Sequence, residues 1–148
     1  MPGKIHLTVA AVIKHNNQYL LVKETDCGKS VINQPAGHVE PGEDIVKAAI
    51  RETYEETGWH IAIENLVGIY SSKSEVTGIT YYRIAFSAKP ISLDSNAQID
   101  ADIDEVVWLS LDEIYHNTEN LRSEVVLTCI LDFEQGQLFP LEIFRNHL

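Results

Sequence analysis

Three glutamates lie close together in the middle of the chain, at positions Glu52, Glu55 and Glu56. Spacings of three and four residues bring side chains together on an α-helix, where these three fall within an arc of about 100°. Clustered carboxylates are the ligands that hard divalent cations such as Mg²⁺ and Mn²⁺ prefer. The common alternative is a solvated acidic surface, because exposed helix faces often carry such charges. The three residues alone do not decide between the two.

The net charge of the chain limits the classes of molecule that it can bind. Acidic residues outnumber basic ones, 22 to 11, which gives a formal net charge of −11. Such a chain repels phosphate backbones, so we expect it not to bind a nucleic-acid polymer. It would also repel a small phosphorylated molecule, unless a bound cation reverses the local field. If the chain acts on a phosphorylated small molecule, we therefore expect it to use a bound metal cation.

Length and composition are typical of a globular protein. The 148 residues suit one domain spanning residues 1–148. No apolar run approaches the roughly 20 residues that cross a membrane, and the start lacks the apolar stretch of a secretory signal. We therefore expect a cytoplasmic protein, either a monomer or a homodimer. Two isolated cysteines, Cys27 and Cys129, are expected to be reduced thiols.

A wider pattern frames the glutamates. It reads Gly, five residues, Glu, seven residues, Arg-Glu, an aliphatic position, any residue, Glu-Glu, any residue, Gly and a hydrophobic residue. The fixed positions are filled by Gly37, Glu43, Arg51, Glu52, Glu55, Glu56 and Gly58. Trp59 supplies the final hydrophobe, and Thr53 departs mildly from the aliphatic preference. At average residue usage, seven such matches arise by chance about once in a million chains. The pattern is the Nudix box, and the chain resembles the Nudix hydrolase family.

Three further segments, 33–38, 121–123 and 140–142, resemble the NudJ subgroup of phosphatases within that family. The resemblance implies Mg²⁺-dependent hydrolysis of diphosphate bonds, with Mn²⁺ as an alternative metal. The implied substrates are small nucleoside di- and triphosphates or the pyrophosphate of the thiamine pyrimidine precursor. The products would be a monophosphate plus phosphate or pyrophosphate. Two alternatives stay open: a pyrophosphatase of ADP-ribose or dinucleoside polyphosphates, and a non-catalytic nucleotide-binding domain.

The resemblance also assigns metal ligands. It implies that Glu52 and Glu56 bind the cation, while Glu55 assists through a second ion or a water. The backbone carbonyl just before the box glycine, which belongs to Ala36, is implied as a further ligand. Glu43 is implied as a supporting partner of the box arginine.

Other catalytic roles follow from the same resemblance. Glu52 or Glu55 would orient or deprotonate the attacking water, and Arg51 would hold a box carboxylate in place. In some relatives the base lies outside the box, and Asp102 and Asp104 are then the candidates here. A solvated loop acid is the more common explanation of either aspartate.

Three polar residues outside the box are candidates for binding substrate phosphates, namely Gln34, Arg83 and Lys29. For each of them a surface salt bridge or a helix cap is an equally good explanation. His38 adjoins the box glycine and has no partner that the sequence reveals, so we expect a structural role.

Apolar periodicity predicts the elements that position these residues. Strands are predicted at Ile5–Lys14, Gln18–Lys23, Ile61–Ser72, Ile79–Ala88 and Val106–Leu109, with a polar loop at Thr25–Ser30. Helices are predicted at Glu43–Thr57, from a Ser110 cap to about His116, and at Ser123–Gln135. In the first helix an acidic first turn is expected, and Val46, Ile50 and Thr53 should face the core. This order predicts an α/β fold, the α/β/α sandwich of Nudix proteins around a central mixed sheet.

Overall fold

The computed structural model describes residues 4–148. Its strands are β1 (Ile5–His15), β2 (Gln18–Asp26), β3 (Lys29–Asn33), β4 (Ala36–His38), β5 (Trp59–Lys73), β6 (Thr80–Leu93) and β7 (Ile103–Ser110). Its helices are α1 (Ile45–Thr57), α2 (Leu111–Tyr115) and α3 (Glu124–Glu134), with short 3₁₀ turns at Thr118–Asn120 and Leu141–Ile143. The predicted elements are therefore present, and most of their ends shift by a few residues.

The strands form one mixed sheet in the order β3-β2-β1-β6-β5, with β4 paired to β1 and β7 paired to β2. β1 and β6 run parallel, and the other pairs are antiparallel. Side chains alternate across β1, so Val9 packs against α1 while Val12 packs on the opposite side with α2 and α3. The predicted α/β sandwich with a mixed sheet is confirmed.

Helix α1 begins two residues later than predicted. Asp44 caps it, because its Oδ2 accepts a hydrogen bond from the Lys47 amide at 2.9 Å. The acidic first turn was therefore a wrong prediction, since Glu43 and Asp44 both precede the helix.

The core face of α1 also differs from the prediction. Ala48 and Ala49 are fully buried against the sheet, whereas Val46 and Ile50 are only partly buried at the margins. Small side chains let the helix approach the strands closely, and the two alanines therefore occupy the centre of the contact. Thr53 is buried as predicted, and its hydroxyl donates to the Ala49 carbonyl at 2.8 Å, which satisfies a polar group at an otherwise aliphatic position.

The predicted polar loop at Thr25–Ser30 is a hairpin instead. β2 continues to Asp26 and β3 begins at Lys29, so the turn consists of Cys27 and Gly28, both with positive φ. The exposed ends of the two strands pair through their backbones and need no apolar residues. They therefore show no apolar alternation in the sequence, and alternation does not predict them.

Both cysteines are free thiols, Cys27 exposed and Cys129 buried, as expected. Among the helices of residues 4–148, none combines the length and the apolar character that a membrane crossing requires.

Gly58 ends α1 with a φ of 77°, and its amide donates to the Tyr54 carbonyl at 2.9 Å. A Cβ at this position would lie 3.1 Å from the Asp94 carbonyl oxygen. Gly136 has a φ of 79°, but a Cβ there would meet no atom within 4 Å.

We expect Gly136→Ala to lower the free energy of unfolding by about 1 kcal/mol through backbone strain alone. Gly58→Ala should cost more, because it must also displace the Asp94 carbonyl.

Urea denaturation of the two variants measures the difference. Equal losses would show that the contact with Asp94 adds nothing to the backbone strain.

Candidate active site

The candidate site lies where strand β4 meets helix α1. β4 pairs with β1, with Gly37 opposite Val9, and this register holds the glycine over the helix. A Cβ at Gly37 would overlap the carboxylate of Glu52. The first box glycine is therefore needed here because a backbone and a charged side chain approach each other closely.

Two box glutamates meet an aspartate from a distant loop. Carboxylate oxygens of Glu52, Glu55 and Asp100 all lie within 4.8 Å of one another. The Asp100 amide donates to the Glu55 carbonyl at 2.9 Å, which fixes the loop against α1. Asp100 was not among the site residues predicted from the sequence. The available signal was the alternating run of aspartates at 100, 102 and 104, from which the two later members were chosen instead of Asp100.

Glu56 lies apart from that group and deeper in the protein. It is 8% exposed, and its Oε1 accepts a hydrogen bond from the Ala36 amide at 2.9 Å. The pKa of Glu56 is raised to about 8, mainly by burial; the negative charge of Glu24 contributes to the rise, and the hydrogen bond from the Ala36 amide opposes it. The hydrogen bond to this carboxylate thus comes from a backbone amide, and a nearby cation would favour its charged form.

Arg51 connects the box carboxylates. Its Nε and Nη2 bind Glu43 in a two-point contact, at 2.7 and 2.9 Å. Its Nη1 donates to Glu52 at 2.9 Å and to Glu55 at 3.2 Å, and Nη2 also donates to the His38 carbonyl at 3.0 Å. The hydrogen bond from Arg51 lowers the pKa of Glu43. Burial raises the pKa of Glu52, and the negative charges of Glu55 and Asp100 add to the rise, although Arg51 opposes it.

The two aspartates considered as bases outside the box take other positions. Asp102 is exposed, and the Asp104 carboxylate accepts a hydrogen bond from the Thr25 hydroxyl at 2.6 Å. Neither belongs to the group of three close carboxylates, which Asp100 joins from the loop before β7.

Two of the three candidate substrate residues are in contact. Arg83 donates from Nη1 to the Gln34 Oε1 at 2.7 Å and from Nη2 to the Asn33 Oδ1 at 3.0 Å. Gln34 is buried and donates to the Val126 carbonyl at 2.7 Å. Burial lowers the pKa of Arg83. Lys29 lies elsewhere, on the exposed β2–β3 hairpin, where its Nζ donates to the Glu119 carbonyl at 2.9 Å.

A further acid near this group was missed by sequence reasoning. Glu24, on β2, accepts a hydrogen bond from Arg122 at 2.5 Å, and burial raises its pKa although Arg122 opposes the shift. Its charge influences both Glu56 and Arg83, so the acidic site and the arginine group are neighbours. A single glutamate within a strand gives no sequence signal for such a position.

His38 has a partner that the sequence did not reveal. Its Nε2 lies 3.0 Å from the Nδ1 of His6, which is on the neighbouring strand β1. His38 also belongs to the site through its carbonyl, which accepts the hydrogen bond from Arg51.

Comparison with known proteins agrees with this geometry. The NUDIX domain model matches residues 4–128. Phosphatase NudJ of Escherichia coli strain K12 is 36% identical over 143 residues, which cover 97% of this chain and 92% of that protein. The Shigella flexneri protein of the same name matches equally well.

Solved structures show the same relationship. A NUDIX hydrolase from Nitrosomonas europaea is 41% identical, covers 97% of this chain and 98% of its own, and superposes with a TM-score of 0.94. A Caenorhabditis elegans Ap4A hydrolase, at 21% identity over 88% of this chain and 96% of its own, shares the fold with a TM-score of 0.69. The chain therefore belongs to the Nudix hydrolase family, as its box predicted. Its curated relatives include the NudJ phosphatases.

The contact between Gly37 and Glu52 can be tested by substitution. We expect Gly37→Ala to displace the Glu52 carboxylate and lower the hydrolytic rate by about 100-fold, since small misplacements of reacting groups have costs of that order. The fold should survive, because the displaced atoms are the end of a flexible side chain. Steady-state kinetics and urea denaturation measure the two effects.

Gly42→Ala, in the turn that follows β4, is the matched control. Gly42 has a φ of 77°, and a Cβ there would meet no atom within 4 Å. This variant should lose about 1 kcal/mol of stability and keep its turnover. Normal turnover in Gly37→Ala would show that the close approach is not needed.

Proposed function

We propose that this chain is a divalent-cation-dependent hydrolase of diphosphate bonds in small phosphorylated molecules. The proposed substrates are nucleoside di- and triphosphates or thiamine pyrimidine pyrophosphate, cleaved to a monophosphate plus phosphate or pyrophosphate. The observation that carries the proposal is the group of carboxylate oxygens from Glu52, Glu55 and Asp100, within 4.8 Å of one another. The similarity to the NudJ phosphatases supports phosphate chemistry at this site.

The donor set fits Mg²⁺ or Mn²⁺. All three close side chains offer carboxylate oxygens, and hard cations take such ligands from proteins. We propose that Glu52, Glu55 and Asp100 hold the cation, and that Glu56 and the Ala36 carbonyl add to the set, as the family resemblance implies. When bound, the cation supplies neutralisation of the phosphate charge and a lowered pKa of coordinated water.

Arg51 is proposed as the positioning residue. One of its nitrogens, Nη1, is shared by Glu52 and Glu55, so it holds two like-charged groups at a fixed separation. Glu43 binds the other edge of the guanidinium and fixes its plane. An arginine suits this task because its planar donors are rigidly arranged.

Glu52 is the proposed acceptor of the proton from the attacking water. Burial raises the pKa of Glu52 above its ordinary value, and a base works best when its pKa approaches the working pH. Its Oε1 accepts a hydrogen bond from Arg51, which orients the carboxylate. Glu55 is the alternative base within the box, and Asp102 and Asp104 are the alternatives outside it.

Substrate binding is proposed for Gln34 and Arg83, with Lys29 as a weaker candidate. Arg83 is a cation beside an otherwise acidic site, which suits an anionic or electron-rich part of the substrate. Gln34 ties this arginine to the Val126 backbone, so the guanidinium is held before a ligand arrives. Lys29 already donates to a backbone carbonyl on the hairpin side.

We also propose that residues 1–148 form a single domain.

A substrate panel tests the proposed activity. The purified chain is incubated with nucleoside di- and triphosphates, thiamine pyrimidine pyrophosphate, ADP-ribose and dinucleoside polyphosphates, and released phosphate and pyrophosphate are measured. We expect turnover of the first two groups with Mg²⁺ or Mn²⁺, and none with excess chelator, because the carboxylates alone repel the anionic substrate. Preference for ADP-ribose or dinucleoside polyphosphates would favour the alternative enzyme. Tight nucleotide binding without turnover would indicate a non-catalytic domain.

Substitution of Glu52 tests the mechanism on the best substrate. Glu52→Gln should lower kcat by about 100-fold or more, since it removes a metal ligand and the proposed base together. Glu64→Gln is the matched control, because Glu64 is an exposed glutamate on β5. The control should keep full activity, and both variants should melt like the parent chain. An active Glu52→Gln variant would overturn the proposed mechanism.

A further inference from the structure

Two histidines form a close pair beside the candidate active site. His6 Nδ1 and His38 Nε2 are 3.0 Å apart, and the rings meet edge to face with their centroids 4.9 Å apart. They project from β1 and β4, whose antiparallel register places His38 opposite Thr8 and therefore diagonal to His6. Tyr81 on β6 lies beside His6 in the sheet and packs edge-on against its ring, at 5.3 Å between centroids. Three strands thus hold the pair in place.

We propose that His6 and His38 form a second metal site, which binds a borderline divalent cation such as Zn²⁺, Ni²⁺ or Cu²⁺ through imidazole nitrogens. This site is separate from the carboxylate group that would hold Mg²⁺. Imidazole suits these transition metals, whereas Mg²⁺ prefers oxygen ligands.

The distance between the nitrogens supports two-point binding. With Zn–N bonds of about 2.0–2.1 Å and tetrahedral angles, two nitrogens on one zinc ion lie about 3.3 Å apart. The pair needs to open by only a few tenths of an ångström to reach that separation, and the rings need to turn so that both lone pairs point at the ion. In the absence of a metal, two nitrogens at 3.0 Å share one proton as a hydrogen bond. A cation would take its place, and the proton would move to the other nitrogen of the donor ring, so that both rings stay neutral.

The surroundings allow a cation to enter and to complete its coordination. The His38 side is exposed, so water can supply the remaining ligands. The formal net charge of −11 attracts cations to the molecule. The carbonyl of His38 accepts a hydrogen bond from Arg51, so an ion at the pair would be fixed to the strand that also orients the active-site arginine.

Calorimetric titration with zinc chloride tests the proposal. The full chain, free of any polyhistidine tag, is titrated in the presence of excess Mg²⁺, which competes for the carboxylate group. Parent, His6→Asn, His38→Asn and His15→Asn proteins are compared. His15 is the matched control, because it is another histidine of β1, at the opposite end of the strand against Trp108.

We expect the parent to bind zinc, and each variant of the pair to bind it at least about tenfold more weakly, since each loses one of two ligands. His15→Asn should bind like the parent. Zinc binding that is unchanged in both pair variants, or no zinc binding by the parent, would overturn the proposal.

Nuclear magnetic resonance of the histidine rings gives a second readout that does not depend on a variant folding. Zinc should shift the ring nitrogen signals of His6 and His38. The other four histidine rings, His15, His60, His116 and His147, should change little. Unchanged ring signals of His6 and His38 at saturating zinc would show that the pair is a hydrogen bond and nothing more.

Discussion

The close approach of β4 to α1 is the constraint on which the site depends. The Glu52 carboxylate fills the space that a side chain at position 37 would need, and Gly37 leaves that space free. That approach is possible because α1 itself lies close to the sheet through Ala48 and Ala49, both fully buried. Larger residues at either position would lift the helix and its carboxylates away from β4. The geometry of the site is thus set by small residues that carry no chemistry of their own.

Gathering acids on one helix face costs free energy, since like charges repel and burial penalises the charged form. The raised pKa values of Glu52 and Glu56 are the mark of that cost. Arg51 offsets part of it by binding three carboxylates at once, while Glu56 is opposite a backbone amide. The protein's own groups leave part of the negative charge of these carboxylates uncompensated, and a divalent cation would compensate it. Arg51 alone cannot, because its single charge is divided among Glu43, Glu52 and Glu55.

The sequence predicted local features well and tertiary contacts poorly. Alternation identified the long strands, and the box spacing brought out the glutamate helix and its end at Gly58. The β2–β3 hairpin was missed because exposed strand ends pair by backbone and show no apolar pattern. Asp100 and Glu24 were missed because each reaches its site across the fold from a segment distant in sequence. Neighbours along the chain are visible in a sequence, and neighbours made by folding are not.

The same distinction separates chemistry from substrate choice in this protein. Most of the proposed catalytic residues lie within a short stretch, 36–56, and their relative positions follow from one helix and one strand. The proposed substrate group is assembled differently: Arg83 comes from β6, Gln34 follows β3, and the Val126 carbonyl that fixes Gln34 belongs to α3. A change in the packing of α3 would move Gln34 and Arg83 while leaving Glu52 and Arg51 in place. With these proposed roles, substrate preference could change without altering the hydrolytic residues, and for this reason the box alone predicts the reaction more firmly than the substrate.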